Sequence, residues 1–205
     1  FGIYDGHGGK RVSEFLKDKV ADTLLDKKNP HIKYPLTKSI VDTKFNEIQE
    51  KLRNNKFSFY SGSTCLNVIH FKKNGNIYLN VINLGDCRAV LCSGTRAVPL
   101  TVDHKPNFPE ERSRIEKLGG KIVKDGVDYR IKDLSVSRAF GDADSAPFVT
   151  HIPDLYKYKL NKTNSKIGIV TSNVKRHPQL IMLFPASFIL SEKLLLSPIS
   201  TTSYM

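Results

Sequence analysis

The order of hydrophobic periods in this chain predicts an α+β domain built in layers, because two helical patterns precede a meander of short strands and a further helix. Two more observations agree. Strand and helix patterns do not alternate regularly, which argues against a doubly wound parallel sheet, and no internal repeat is found. A length of 205 residues suits one substantial core, and a hydrophobic fraction of 40% excludes wholesale disorder.

The elements follow from local spacing. Phe1, Gly2, Ile3 and Tyr4 form a short apolar run that can end a strand. Val12, Phe15, Leu16, Val20 and Leu24 recur at helical spacing, predicting an amphipathic helix over residues 10–25 that Asn29 and Pro30 break. After Pro35, the residues Leu36, Ile40, Val41, Phe45, Ile48 and Leu52 share one helical face, closed by the polar run at 53–56. The period then falls to two. Residues 64–71 and 77–82 read as strands joined through Asn74 and Gly75, a strong hairpin signal. Residues 88–92 and 96–100 form a second candidate pair, and 110–118 a short helix stopped by Gly119 and Gly120. Beyond Asn161 the pattern weakens. Apolar runs at 180–184, 188–190 and 194–196 admit strands, and the last residues read as a disordered tail.

Composition excludes several classes. The formal charge is +12, but the lysines are scattered through predicted loops and helix faces, with neither a basic block nor regular aromatic spacing. Specific nucleic-acid binding is therefore not expected. No apolar stretch is long enough for a membrane span, and no secretory pattern is present. Cys65, Cys87 and Cys92 include no C-x-x-C pair, which predicts reduced core thiols rather than a disulfide scaffold or a zinc site. A monomer in the cytoplasm or nucleus is expected.

The chemistry concentrates in DGHGG, residues 5–9. A carboxylate at a strand end, a glycine carbonyl that can approach an ion closely, and waters make a hard-cation arrangement suited to Mg²⁺ or Mn²⁺. His7 is poised to exchange a proton near neutrality. SGST (61–64) is a small-residue entry into a strand, suited to close packing. Asp86 sits at a Gly-Asp corner between strands, and LSVSRAFGDAD carries Arg138, Asp142 and Asp144.

Six blocks occur in one order: YDGHGG (4–9), SGSTC (61–65), NLGDCRAVL (83–91), LTVDHKPNFPEERSRIEKLGG (100–120), LSVSRAFGD (134–142) and IPDLYKYKL (152–160). Together they resemble the catalytic domain of the metal-dependent serine/threonine protein phosphatases, the PPM or type 2C family. The resemblance implies a four-layer α-β-β-α sandwich with two central antiparallel sheets and two Mg²⁺ or Mn²⁺ ions at one end. It implies hydrolysis of phosphoserine and phosphothreonine in phosphoprotein substrates by metal-activated water. On that resemblance Asp5 bridges the ions, the Gly6 carbonyl ligates one, His7 is the general acid, and Asp86 marks a further, weaker metal site. The blocks around His104 and Arg138 support the fold.

The same resemblance brings out two departures. The family has strands before DGHGG that supply an acidic metal-associated residue and a phosphate-gripping arginine, and two later aspartates that ligate metal. The sequence starts at Phe1, directly before the first block, and carries no aspartate after Asp154. Glu192 lies near one expected acid without the glycine that should follow it. The expectation is a partial phosphatase domain over residues 1–165, truncated at its N-terminus, then a divergent or truncated segment over 166–205. The alternative is a catalytically impaired domain or pseudophosphatase that acts as a protein-binding module.

Overall fold

The computed structural model describes residues 1–25, 34–93, 96–160, 165–170, 182–185 and 199–202. The expected break at Asn29 and Pro30, the runs at 188–190 and 194–196, Glu192 and the last three residues lie outside the described residues.

The described elements run β1 (Gly2–His7), α1 (Arg11–Leu24), α2 (Lys38–Arg53), β2 (Gly62–Ser63), β3 (Cys65–Lys73), β4 (Asn76–Leu84), β5 (Arg88–Ser93) and β6 (Arg96–Pro99). There follow α3 (Pro109–Lys117), β7 (Val123–Asp125), β8 (Asp128–Arg130), β9 (Phe140–Gly141), β10 (Asp154–Leu160), β11 (Ser165–Val170), β12 (Met182–Pro185) and β13 (Ile199–Thr202). A seven-stranded sheet has the order β10-β4-β3-β1-β2-β9, with β13 also paired to β1. A four-stranded sheet has the order β12-β11-β5-β6, and β7 and β8 form a small hairpin.

Local chemistry explains the boundaries. Thr37 caps α2, its hydroxyl accepting from the Ile40 N–H at 3.3 Å. Leu36, expected on that helix face, lies before the cap instead, buried, with its N–H donating to Asn80 Oδ1 at 3.1 Å. Asn74 and Gly75 both have positive φ (51° and 73°), and the hairpin they close pairs β3 with β4 from Lys73↔Asn76 back to Cys65↔Leu84. Pro109 opens α3, where its missing N–H is not needed.

Both faces of the large sheet are covered, which is why its central strands read as nearly continuous apolar runs. The strand period of two splits β4: Ile82 and Leu84 join the core under the two long helices, while Leu79 and Val81 face the other way. The helical side packs Leu16 and Val20 of α1 and Phe45, Ile48 and Leu52 of α2 on Tyr4, Cys65 and Phe140. The opposite side packs Ile3, Leu66 and Val68 on Cys87 and Ala89, the latter carried by β5 of the smaller sheet. Helices over two central sheets thus form the α+β architecture expected. Each fully buried leucine or isoleucine here contributes roughly 1.5–3 kcal/mol. A satellite cluster gathers Ile115 of α3 with Ile131, Val136, Ala139 and Val149.

Cys65 and Cys87 are buried thiols, as expected, and burial pushes the Cys65 thiol well above its ordinary value. The structure also adds to the sequence reading. Residues 199–202, expected in the tail, form β13 and pair in parallel with Ile3 to Gly6 of β1, so the large sheet is not wholly antiparallel. The β-branched Ile199, Thr201 and Thr202 suit a strand, which pairs with β1 from Ile3 to Gly6.

Candidate active site

Strand β1 carries Asp5, Gly6 and His7 at its C-terminal end, and two neighbours fix them there. The Asp5 N–H donates to Thr64 Oγ1 at 3.1 Å, and the Thr64 N–H donates back to the Asp5 carbonyl at 3.0 Å. Gly6 faces α1 so closely that a Cβ there would lie 2.8 Å from Ser13 Oγ. A side chain here would have to displace Ser13, so glycine lets the helix seat closely against the strand end.

The register across the sheet explains the next contact. His7 is opposite Gly62 on β2, and Gly62 is opposite Gly141 on β9, so the three residues form one row. Asp142 follows directly. Its Oδ2 lies 2.7 Å from His7 Nε2, although the two residues are 135 apart in sequence. Gly62 is the residue over which they meet. A Cβ there would sit 2.6 Å from His7 Nε2 and closer still to the Asp142 carboxylate. The small-residue segment SGST thus packs closely, as expected, and what it packs against is this pair.

Asp142 is held from its backbone. It adopts a left-handed conformation (φ 44°, ψ 45°), its N–H donates to the Ser61 carbonyl at 3.1 Å, and its carbonyl accepts from the Ser145 N–H at 2.9 Å. The preceding Gly141 is gripped by the buried amide of Gln49 on α2, which accepts from its N–H at 3.1 Å and donates to its carbonyl at 3.2 Å. Burial pushes the His7 pKa down. The hydrogen bond and charge of Asp142, with further help from the charges of Asp5 and Asp86, more than reverse this, and the net shift is upward.

Asp86, at the corner between β4 and β5, is buried and ion-paired with Lys105. Its neighbour Gly85 donates its N–H to His104 Nδ1 at 2.9 Å, and His104 Nε2 lies 3.1 Å from Asp154 Oδ2. Arg138 joins the same assembly, donating to Glu111, to the Ile152 carbonyl and to Asp154. These contacts tie the corner carrying Asp86 to the segment that leads through Arg138 to Asp142.

Two features of the site went unassigned in the sequence reading. Asp142 was noted without a role, and the Lys105 partnership of Asp86 was not foreseen. Asp142 lies 135 residues from His7, and no local pattern joins the two.

The donor chemistry of Asp5 and Gly6, carboxylate and carbonyl oxygen, fits a hard divalent ion that keeps several waters. Among the described residues no three His, Cys, Asp or Glu side chains gather into a metal-binding group. The carboxylates of Asp86 and Asp142 are engaged by Lys105 and His7.

A family profile for protein phosphatase 2C matches residues 1–173. The chain is 50% identical over 102 residues to a PP2C-like domain-containing protein of Acanthamoeba polyphaga mimivirus, covering 47% of this chain and 57% of that protein. It is 35% identical over 164 residues to a probable mitochondrial protein phosphatase 2C of Oryza sativa subsp. japonica, covering 79% of this chain and 43% of the relative. The chain thus spans about half the length of these curated relatives. Among solved structures, a phosphatase from Toxoplasma gondii superposes with a TM-score of 0.70 at 18% identity, over 85% of this chain and 62% of that one. A Caenorhabditis elegans sex-determining protein gives 0.71 at 20% identity, over 84% of this chain and 42% of its own. At these identities the likeness concerns the fold. Among the described residues no helix is long and apolar enough to cross a membrane.

Proposed function

Because this chain belongs to the protein phosphatase 2C family, we propose that it carries the core of a Mg²⁺- or Mn²⁺-dependent site that hydrolyses phosphoserine and phosphothreonine in proteins. The observation that carries this reading is the end of β1, where a carboxylate, a glycine and a histidine stand in succession and the histidine is engaged by a buried carboxylate. Asp5 and the Gly6 carbonyl would hold the ion, with Asp86 as a further, weaker ligand once Lys105 releases it. A bound divalent ion would acidify a water and offset the charge of the phosphoryl group.

The chain's own residues supply the rest. His7, only partly exposed, protonates the departing seryl or threonyl oxygen as general acid. No protein nucleophile is required, which agrees with Cys65 and Cys87 lying in the core rather than at the site. The proposed domain covers residues 1–165, with 166–205 as a divergent segment.

One observation favours a second reading, a catalytically impaired domain that binds phosphoproteins. Among the described residues no three His, Cys, Asp or Glu side chains gather into a metal-binding group, and Asp86 and Asp142 are ion-paired with Lys105 and His7. Phosphate release from a phosphothreonine peptide separates the two. The first reading expects release that depends on Mn²⁺ and is abolished in Asp5→Ala. Binding of the peptide with no release at any Mn²⁺ concentration would establish the second.

A further inference from the structure

We propose that Asp142 is a positioning residue that fixes His7 with a proton on Nε2, leaving Nδ1 as the ring atom that delivers a proton to the leaving oxygen. This deepens the phosphatase reading above and rests on it.

Three observations carry it. First, Asp142 Oδ2 lies 2.7 Å from Nε2, and His7 is the one hydrogen-bonding partner of that carboxylate among the described residues. An ionised carboxylate only accepts hydrogen bonds, so Nε2 must be the donor. Second, the carboxylate is 2% exposed, so it needs a partner and cannot readily leave this one for water. Third, the surroundings are shaped around the pair. Gly62 leaves the space where they meet, Gln49 clamps Gly141 by both amide groups, and the left-handed turn at Asp142 sets the direction of its side chain.

The consequence for the other nitrogen is direct. The ring is 28% exposed, no hydrogen bond reaches Nδ1 among the described residues, and Nε2 is committed to the buried carboxylate. Nδ1 is therefore the nitrogen available to a substrate. In the protonated ring both nitrogens carry hydrogen. As water forms its bond to phosphorus, the ester P–O bond breaks and its electron pair passes to the seryl or threonyl oxygen. That oxygen takes the Nδ1 proton, and the attacking water's proton stays on the phosphate or leaves to solvent. The ring is left neutral with its remaining proton on Nε2, still donated to Asp142, and solvent returns a proton to Nδ1. Asp142 never accepts the proton; it keeps the ring in the orientation and tautomer that present Nδ1.

Nitrogen-15 NMR of histidine-labelled protein tests the assignment, with the His7 signals identified by their loss in His7→Gln. The neutral ring of the unsubstituted chain should carry its proton on Nε2, a result that needs no variant to fold. In Asp142→Asn the amide can present either its oxygen or its NH₂, and the Nδ1–H tautomer should appear. Hydrolysis of a phosphothreonine peptide should fall roughly 10²–10⁴-fold, the range associated with general acid catalysis, at nearly unchanged KM. An aryl phosphate, whose leaving group needs little protonation, should lose less.

A proton found on Nδ1 in the unsubstituted neutral ring overturns the proposal. So does an Asp142→Asn chain that keeps the tautomer and loses both substrates equally, since that is the behaviour of a merely structural residue. If the unsubstituted chain hydrolyses neither substrate, the phosphatase reading and the delivery step fall together. The NMR result then still decides whether Asp142 sets the ring.

Discussion

Replacing Glu111 with glutamine should destabilise the fold by about 3 kcal/mol at neutral pH, and the loss should fade in acid. Glu111 lies on α3, its side chain 4% exposed, and accepts from Arg138 Nε at 3.0 Å, Arg138 Nη2 at 2.6 Å and Arg114 Nη2 at 2.9 Å. Burial pushes its pKa up, but hydrogen bonds from Arg138 and Arg114 and the Arg138 charge outweigh this and hold it at about 2 instead of its ordinary 4.5. A folded-state pKa below the unfolded one means that the unfolded chain binds the proton more readily. The stabilisation is therefore complete above the unfolded value and disappears as pH falls from there toward the folded value. Each tenfold change in proton affinity is worth about 1.4 kcal/mol, giving about 3 kcal/mol at pH 7 and about half of that at pH 3. The assay is urea unfolding of the unsubstituted chain and Glu111→Gln at both pH values. With a urea dependence of about 2 kcal/mol per molar, the midpoints should differ by roughly 1.5 M at pH 7 and by clearly less at pH 3. Coincident midpoints at pH 7, or a gap as wide at pH 3, would refute the role given to this carboxylate.

Other predictions concern packing and the strand row. Leu16→Ala empties a fully buried position under α1 and should cost about 2–5 kcal/mol, measured by the shift of the urea midpoint. Gly62→Ala places a methyl group where His7 and Asp142 meet, so peptide hydrolysis should collapse while circular dichroism stays native. The methyl also parts the buried Asp142 carboxylate from its partner, so the urea midpoint should fall as well.

Much of the fold was legible because its signals are local. The faces of α1 and α2 follow from apolar residues three and four apart, and the β3–β4 hairpin from Asn74 and Gly75. Strand β10 was also written in the chain, since Tyr156, Tyr158 and Leu160 alternate with the exposed Lys157 and Lys159. The β7–β8 hairpin is too short and too exposed for periodicity to mark it. The candidate site was legible where it is contiguous, at Asp5, Gly6 and His7. The contact between His7 and Asp142 depends on the register of two two-residue strands, which no local pattern encodes. The Lys105–Asp86 pair likewise joins residues from different segments, and a lone lysine after a histidine gives no hint of its partner.

The central claim is that Asp5 serves an ion while His7 serves the leaving group. One paired comparison tests it most directly: Mn²⁺ titration by calorimetry alongside turnover of a phosphothreonine peptide and an aryl phosphate, for Asp5→Asn and His7→Gln. Asp5→Asn should lose Mn²⁺ affinity and turnover of both substrates together. His7→Gln should keep the affinity and lose the peptide far more than the aryl phosphate. Equal losses on both substrates in His7→Gln, or Mn²⁺ affinity unchanged in Asp5→Asn, would contradict the account.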